Sequence, residues 1–564
     1  MDYKKTISEI IKIDGVSAEE IYASLSVPQK RENGEFCLPC FKFSKLLRSS
    51  PVAIAENLKS QIVLPPEIAS VEAVSGYLNF KLDREYLART SLNAIFEKGE
   101  NFEKKARNGK TVCLDYSSIN IAKPFHIGHL LTTAIGGSLC RIYDYLGYRA
   151  VGINHLGDWG TQFGKLVSAY KRWGSRDDVA KRGVTALSEL YVKFHSEAEK
   201  DPTLDDEGRY YFKKIEDGDE ETVKIFEWFK EITLEEVGKI YDRLGIKFDS
   251  YAGESFYNDK MQPVIDELES KGLLTESEGA KVVDLSDCDM PPCLILKKDG
   301  ATLYATRDLA AATYRHDTYD FDKCLYIVAY QQNLHFKQVF KVLEKMGKPW
   351  ADRCVHVPFG MVSLEGGESL STRKGNVVLL KDVLSTAVEK ARKVIDEKNP
   401  DLQNKADVAE SVGVGAIVFS ALSTARIKDM VFSYDKALSF EGETAPYLQY
   451  AHARCASILA KSKSDYLSGE KDYSVLTNDE STDVITLLNR YDEIVGEAAE
   501  KYEPCIIARY LLDLAQAFNR FYINNRVICD DEKASNARLT LTACVKSTLK
   551  NGLRLLLVNA PEQM

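Results

Sequence analysis

The sequence has no apolar run near the roughly 20 residues that a membrane-spanning helix requires, so nothing in it predicts a membrane partner. Its first residues, MDYKKTISEIIKIDG, lack the apolar centre of a signal peptide. Twelve cysteines occur without regular spacing, and the CLPC of Cys37 and Cys40 has no second pair at zinc-ribbon distance. We therefore expect a cytoplasmic protein with reduced thiols and no protein-bound metal site.

The chain also has no excess of basic residues. It contains 74 Lys and Arg residues and 84 Asp and Glu residues, which gives a net charge of −10. That balance argues against indiscriminate binding of nucleic acid. It does not exclude RNA, since a local patch suffices, and residues 501–564 carry nine basic against six acidic residues. With 564 residues and 45% hydrophobic content, the chain is long and apolar enough for several domains.

Residues 110–164 combine an α/β pattern with a cluster of polar groups. A short apolar strand around Val112 is followed by a polar turn, by His-Ile-Gly-His at residues 126–129 and by apolar residues at helical spacing. A second strand follows from about Tyr148. An open parallel sheet binds its ligands at the carboxyl ends of the strands, so we expect the ligand on the loop before the helix.

The HIGH tetrapeptide at residues 126–129 suits a nucleotide triphosphate. A helix N-terminus offers unpaired backbone N–H groups and a partial positive charge to phosphate. His126 and His129 are spaced to share one face, and Gly128 has no Cβ to keep a flat base off the backbone. The alternative is that two of the eight histidines fall near a helix start by chance.

The residues that flank this tetrapeptide extend the pattern to DYSSINIAKPFHIGH and NHLGDWGTQFG, and further on come LYATRD and FEGETAPYLQY. Together they resemble the class I arginyl-tRNA synthetase family over nearly the whole chain. Ile119 stands where proline is usual, and Leu131 stands where an arginine often follows HIGH. The resemblance implies an α/β Rossmann-type parallel-sheet catalytic domain, a small N-terminal α/β domain and a C-terminal all-α helical bundle.

The domains that the resemblance implies are four segments of the chain. They are an N-terminal tRNA-contacting domain at 1–105, a catalytic domain at 106–380 with a helical insertion at about 165–243, a helical connection at 381–440 and an anticodon-binding domain at 441–564. If these parts are modular, a chain that ends near Lys436 should keep the catalytic residues and lose anticodon discrimination.

The activity that the resemblance implies has two steps. L-arginine reacts with ATP to give arginyl-adenylate and pyrophosphate, and the arginyl group then passes to the terminal ribose hydroxyl of arginine tRNA. Mg2+ accompanies ATP with few protein ligands. The family also implies a monomer and an activation step that requires bound tRNA.

The arginine site that we predict contains two carboxylates, because a guanidinium group is held best by carboxylates in bidentate geometry. We assign that role to Asp115 and Asp308. The resemblance completes the predicted arginine-binding set: Asp115, Ser118, Asn120, His126, Tyr304, Asp308 and Gln332. It also places His335 and Gln338, one helical turn apart, near the adenosine, beside the ATP-binding residues His126, Gly128 and His129.

The second signature of class I synthetases, KMSKS, is degenerate in this chain. Aligned on Ser371, which we assign to ATP binding, the segment reads Ser-Leu-Ser-Thr-Arg at residues 369–373, without either lysine. A cation must still answer the charge that develops on the phosphates, and Lys123, Arg373 and Lys374 are the candidates. With His126 and His129, these three form the predicted catalytic set.

The C-terminal segment carries the predicted contacts to the anticodon. Tyr447, Tyr450 and Arg454 are spaced to share one helix face, where aromatic rings and a guanidinium can stack on splayed bases. The family also places the terminal residue, here Met564, near the anticodon.

Two alternatives remain open from the sequence. One is a class I synthetase for glutamate or cysteine. An acid-lined pocket disfavours glutamate, and the absence of zinc-ligand spacing disfavours cysteine. The other is a catalytically silent RNA-binding relative, which the absent KMSKS lysines favour and the intact HIGH and LYATRD motifs oppose.

Overall fold

The computed structural model describes residues 3–298, 300–364 and 378–564. The strands are β1 (Phe36–Pro39), β2 (Ile68–Val74), β3 (Tyr77–Leu82), β4 (Thr111–Asp115), β5 (Arg149–Ile153), β6 (Leu274–Ser277), β7 (Ala280–Val283), β8 (Cys293–Leu296), β9 (Lys323–Tyr326), β10 (Cys354–His356), β11 (Val362–Leu364) and β12 (Met430–Phe432).

The helices occupy most of the remaining chain. They are α1 (Tyr3–Ile10), α2 (Ala18–Ser24), α3 (Ser44–Leu47), α4 (Pro51–Gln61), α5 (Arg84–Glu97), α6 (Leu130–Tyr145), α7 (Thr161–Trp173), α8 (Arg176–Arg182), α9 (Val184–Ala198), α10 (Thr203–Glu216), α11 (Glu220–Leu244), α12 (Met261–Ser270), α13 (Tyr304–Tyr319), α14 (Asn333–Lys345), α15 (Leu380–Lys398), α16 (Lys405–Leu422), α17 (Tyr434–Ala437), α18 (Ala445–Lys461), α19 (Asp479–Asn489), α20 (Tyr491–Glu500), α21 (Cys505–Asn524) and α22 (Glu532–Leu555).

A four-stranded parallel sheet in the order β10-β9-β4-β5 forms the centre of the catalytic segment. Every residue of β4 is buried, as expected of a strand that is covered on both faces. The chain leaves β4 towards β5 through α6, and it leaves β9 in the opposite direction towards β10 through α14. The predicted Rossmann-type sheet is therefore confirmed, and its switch point lies between β4 and β9.

The chain divides into two compact units, each built from separate segments. The first contains Met1–Phe102, Ala451–Glu493 and Tyr510–Asn551. The second contains Glu103–Tyr450, Ile494–Arg509 and Gly552–Met564. Three pieces of the predicted helical end, residues 441–450, 494–509 and 552–564, thus belong to the same unit as the parallel sheet, and the predicted domain boundaries remain predictions.

The first unit has the antiparallel sheet β1-β3-β2, in which Leu78 and Phe80 are fully buried. Its N-terminal and C-terminal segments are joined by polar contacts, such as the ion pair of 2.9 Å between Arg84 and Asp479. In β3, the three consecutive residues Leu78, Asn79 and Phe80 are all buried.

In the second unit, five helices, α7 to α11, fill the segment between β5 and the remainder of the sheet. The longest, α11, begins with Asp219, whose side chain accepts the Thr222 N–H, and ends at Gly245 in the left-handed conformation. The helical insertion at about 165–243 remains a prediction as a domain feature. None of the described helices is both long and apolar enough to cross a membrane.

Candidate active site

The candidate site lies at the carboxyl ends of β4 and β9, where the two crossover connections diverge. Asp115 ends β4 and pairs in register with Tyr326, which ends β9. The hydroxyl of Thr132, in the first turn of α6, donates to the carbonyl oxygen of Ile327 at 2.8 Å. The start of α6 is thereby fixed to the end of β9, and one crevice receives groups from both strands.

The loop between β4 and α6 is held in an uncommon backbone conformation by α11. Ser117 and Ser118 have φ values of 70° and 43°, which lie in the left-handed region that side chains disfavour. The hydroxyl of Ser117 lies 2.7 Å from that of Tyr241, and the N–H of Ala122 donates to Thr233 at 3.0 Å. These contacts, from a helix more than a hundred residues away, hold the loop in its strained form.

The HIGH tetrapeptide forms a single 3-10 turn, Ile127–His129, that continues into α6. The Nδ1 atom of His126 accepts the Gly128 N–H at 3.0 Å, and Nδ1 of His129 lies 3.3 Å from the His126 backbone nitrogen. An Nδ1 atom that accepts leaves the ring proton on Nε2. His126 can therefore donate from Nε2. Nδ1 of His129 lies 3.3 Å from both the backbone nitrogen and the carbonyl oxygen of His126, so whether it accepts or donates depends on the ring tautomer.

Both histidines are partly buried, which favours the neutral form of each ring. Burial lowers the pKa of His126, and burial together with the neighbouring His126 lowers the pKa of His129 to about 3. Their predicted contribution to phosphate binding is therefore hydrogen bonding rather than positive charge. A Cβ at Gly128 would lie 2.7 Å from the His126 ring, so this ring approaches the glycine closely.

Asp308 and Asp115, the two predicted partners of a guanidinium group, have different environments. Asp308 lies in the first turns of α13 and is 2.6 Å from Nε2 of His335, at the start of α14. Asp115 is 2.8 Å from Nη2 of Arg315, and it also accepts the Ser118 hydroxyl at 2.9 Å. The structure thus brings the predicted arginine and adenosine residues Asp308 and His335 together, and it pairs Asp115 with an arginine of the chain itself.

Arg315 was not among the predicted site residues. In the structure its side chain is only 1% exposed. Burial by itself lowers the pKa of an arginine, but the Asp115 carboxylate reverses that effect, and the pKa of Arg315 lies well above its usual range. The sequence carries a signal for it. Ala311 and Arg315 are spaced i and i+4 and both are buried, so a charged residue continues a buried helix face.

A third carboxyl group, Glu254, lies near Asp308 and was also missed. Its side chain is 17% exposed and 3.5 Å from Arg307. Burial raises the pKa of Glu254 to about 7, an effect that Arg307 opposes and that Asp308 increases. Asp158, a fully buried acid in the same region, pairs with Lys230 at 2.8 Å.

The remaining predicted substrate residues lie at the rim of the crevice. Tyr304 is 68% exposed at the start of α13, and Asn120 and Gln332 are exposed. Gln338 donates its amide N–H groups to the carbonyl oxygens of Pro291 and Pro292 at 2.8 and 3.2 Å, which leaves its side-chain oxygen as the atom for the predicted contact to adenosine.

Of the predicted cations, only Lys123 falls within the described residues. It is exposed, one residue after Ala122, whose φ is 58°. Ser371, Arg373 and Lys374 lie outside the described residues. The backbone just after that segment is paired with the HIGH turn, since the Ile127 N–H donates to the Val378 carbonyl oxygen at 3.0 Å.

The residues predicted to contact tRNA lie on α18 and at residue 564. Tyr447 and Tyr450 lie in the first turns of α18, and Tyr450 is 45% exposed. In the first unit, Arg454 donates to Asn519 at 2.9 Å and lies over the Tyr522 ring. In the second unit, Met564 packs against the apolar cluster of α15 and α16.

No group of three or more His, Cys, Asp or Glu side chains that could hold a metal ion occurs among the residues that the structure describes. All twelve cysteines are free thiols.

Comparison with known proteins gives three family models that together cover most of the chain. They are "tRNA synthetases class I (R), catalytic domain" at residues 91–434, "DALR anticodon binding domain" at 448–564 and "Arginyl tRNA synthetase N terminal domain" at 1–82. The curated arginine–tRNA ligases of Alkaliphilus metalliredigens and Clostridium botulinum strain Alaska E43 are 48% and 50% identical to it, each over the full length of both chains.

Two solved structures have the same fold over almost the whole chain. The arginyl-tRNA synthetase of Thermus thermophilus matches with a TM-score of 0.81 and 28% identity, covering 96% of each chain. The Plasmodium falciparum enzyme matches with a TM-score of 0.79 and 26% identity, covering 96% of this chain and 94% of its own.

Proposed function

This chain belongs to the class I arginyl-tRNA synthetase family, and from that premise we propose that it activates L-arginine with ATP and transfers it to arginine tRNA. One observation carries the proposal. The HIGH turn, whose two histidines have lowered pKa values, follows the loop that leaves β4, and Asp308 lies 2.6 Å from His335 at the start of α14, the helix that follows β9. A nucleotide site and a cation site therefore lie in one crevice, as the joining of arginine to ATP requires.

In the first step, the arginine carboxylate attacks the α-phosphorus of ATP in line, and pyrophosphate leaves. Such chemistry depends on positioning and charge neutralisation more than on a covalent intermediate. In our assignment, His126 and His129 hydrogen-bond the phosphates from Nε2, and Asp308 holds the guanidinium group. ATP enters as its Mg2+ complex, so the metal belongs to the substrate.

The charge that develops on the phosphates needs a cation besides this metal. Neutral histidines do not supply one, because burial lowers the pKa of both. Lys123 is exposed on the loop that ends in the HIGH turn, and we assign it this role, with Arg373 and Lys374 as rivals.

In the second step, the terminal ribose hydroxyl of tRNA attacks the adenylate and AMP leaves. We assign Tyr447, Tyr450 and Arg454 on α18 to the anticodon, together with the terminal Met564. The half-exposed ring of Tyr450 supports this assignment, because a stacking surface must be accessible.

Amino-acid-dependent exchange of labelled pyrophosphate into ATP tests the function directly. The full chain should exchange with arginine when arginine tRNA is present, and it should not exchange with glutamate or cysteine. Vigorous exchange without tRNA would contradict the inherited tRNA requirement. Absence of exchange under every condition, with tRNA still bound, would identify a silent RNA-binding relative instead.

A further inference from the structure

The largest fully buried side chain among the described residues is that of an arginine, Arg315. Its Nη2 atom is 2.8 Å from Asp115 and 3.3 Å from Nδ1 of His155, and its guanidinium lies over the Tyr326 ring. A buried charge is tolerated only where a partner of opposite charge meets it closely. Asp115 is that partner, so the carboxylate that ends β4 is already engaged by a permanent cation.

The second carboxylate oxygen of Asp115 faces the nucleotide side of the crevice. It accepts the hydroxyl proton of Ser118 at 2.9 Å, on the loop that leads to the HIGH turn. A serine hydroxyl that donates its proton to a carboxylate keeps its oxygen lone pairs for another donor. Arg315, Asp115 and Ser118 therefore form a relay from α13, through the end of β4, to an acceptor on the loop.

The charges of the neighbouring acids indicate which of them can receive a second guanidinium. Three carboxylates in this region each pair with a permanent cation: Asp115 with Arg315, Asp158 with Lys230 and Glu254 with Arg307. The described partner of Asp308 is His335, an imidazole. A substrate cation gains most from a carboxylate that no permanent charge has neutralised, which is Asp308.

Resting on the proposed function, we propose that Arg315 is a positioning residue for substrate arginine: through Asp115 it orients the Ser118 oxygen to receive the α-ammonium group, while Asp308 receives the guanidinium. The direction of the substrate follows from the reaction. Its carboxylate must meet the nucleotide, so the adjacent α-ammonium lies towards the HIGH loop, on which Ser118 is placed. Asp115 then acts on the substrate through Ser118.

The variants that test the relay must avoid leaving a buried charge unpaired. Arg315→Met alone would leave the buried Asp115 carboxylate without its cation, which by itself destabilises the fold. The main variant is therefore the double change Arg315→Met with Asp115→Asn, which removes both charges. Arg315→Lys is the conservative variant. The matched control is Arg182→Met with Asp178→Asn, which removes an exposed pair on α8. Thermal unfolding of each full-length protein is measured alongside its kinetics.

The decisive measurement compares arginine with 5-guanidinopentanoic acid, which lacks only the α-ammonium group, as a competitive inhibitor of tRNA-dependent exchange. In the double variant, the arginine KM should rise on the order of tenfold, as for one lost hydrogen bond to a charged group, while the inhibitor's Ki and the KM for ATP stay unchanged. Arg315→Lys should give a smaller rise. Asp308→Asn should weaken arginine and the inhibitor alike.

Ser118→Ala completes the test as a double-mutant cycle. It should raise the arginine KM in the wild-type chain and add less than about twofold in the Arg315→Met, Asp115→Asn background, because the relay is already broken there. Additive effects would overturn the relay. So would an equal loss of arginine and of 5-guanidinopentanoate in the double variant, which would assign Asp115 to the guanidinium.

A merely structural role for Arg315 would also overturn the proposal, and it would appear as a parallel rise in the KM values of arginine and ATP. Wild-type exchange with arginine tests the proposed function by itself. The relay is contradicted when the wild-type chain exchanges with arginine but the variants do not show the stated changes in KM and Ki.

Discussion

At the residue scale, the two acids that a sequence argument treats alike differ in their partners. Asp115 is matched by a permanent charge and Asp308 by a histidine. Both were predictable as carboxylates for a guanidinium, because the ligand's chemistry demands them. Arg315 was not, since its partner Asp115 is 200 positions away in the sequence and meets it only when α13 packs against the end of β4. Local patterns predict which groups a site needs, and they do not predict which of them the fold has already paired.

Asp308→Asn should mainly weaken the binding of arginine. The change removes the charge from a carboxylate whose side chain is 24% exposed, and losing one member of such a charged contact costs about 3 kcal/mol, or roughly 100-fold. We expect that rise in the arginine KM of the exchange reaction with little change in the KM for ATP. Asp317→Asn, on the exposed side of the same helix, is the control. Wild-type kinetics for Asp308→Asn would show that this side chain does not contact substrate.

Glu254 should make the stability of the fold depend on pH near neutrality. Burial raises its pKa from an ordinary value of 4.5 to about 7, so the folded chain holds the proton more tightly than the unfolded chain. Unfolding therefore releases a proton between these two values, and the free energy of unfolding falls as the pH rises through them. Between pH 5 and 8 this amounts to about 2 kcal/mol.

Glu254→Gln should remove that fall, because the amide does not titrate. Denaturant unfolding gives the free energy of unfolding of variant and wild type at pH 5 and at pH 8. The difference between the two proteins should change between these pH values. Glu276→Gln, an exposed acid on β6, should leave the difference constant. If Glu254→Gln also leaves it constant, the carboxyl group is ionised throughout this range.

At the scale of elements, the segment from β4 to α6 was predicted correctly, because a buried strand, a polar turn and a helical period follow one another directly. The conformation of the loop was not predictable. It depends on Thr233 and Tyr241, which lie on α11 and whose positions in the sequence suggest only helix packing. The close approach of the His126 ring to Gly128 was not predictable either, because the turn creates it.

Lys123→Ala should lower kcat more than it raises the KM for ATP. The loop presents this exposed lysine just before the HIGH turn, and both histidines of that turn are neutral, so a cation is still needed as negative charge develops. Interactions made only in the transition state lower kcat, here on the order of 10²–10³-fold. Single-turnover adenylate formation measures it, and Lys239→Ala, an exposed lysine on α11, is the control.

A second change identifies the source of the cation. Thr372→Lys restores one signature lysine of the KMSKS segment, and in the Lys123→Ala background it should recover part of the lost kcat. Near-normal kcat in Lys123→Ala, together with a collapse in Arg373→Ala, would assign the role to that segment instead.

At the scale of the whole molecule, a modular reading of the sequence predicts that a chain ending near Lys436 keeps the catalytic residues and loses anticodon discrimination. Residues 494–509 and 552–564, however, belong to the compact unit that contains the parallel sheet. The hydroxyl of Ser138 on α6 donates to the Leu555 carbonyl oxygen at 2.9 Å, and Gln449 donates to that of Asn559 at 2.7 Å. Contacts between such distant positions leave no periodic pattern in the sequence.

Removal of residues 552–564 should therefore prevent the catalytic unit from folding. The segment buries Leu553, Leu555, Leu556 and Val558. Each buried leucine lost costs about 2–5 kcal/mol, against a total stability of about 5–15 kcal/mol, so the loss of several exceeds what a domain can tolerate. The matched control removes only Met564, which contacts Asn399 and the edge of the α15–α16 cluster, and should leave the fold intact. Circular dichroism separates the two, because the tRNA-dependent exchange reaction also reports the anticodon contact assigned to Met564. A folded, active chain that ends at residue 551 would show that the C-terminal segment packs against the sheet unit without supporting it.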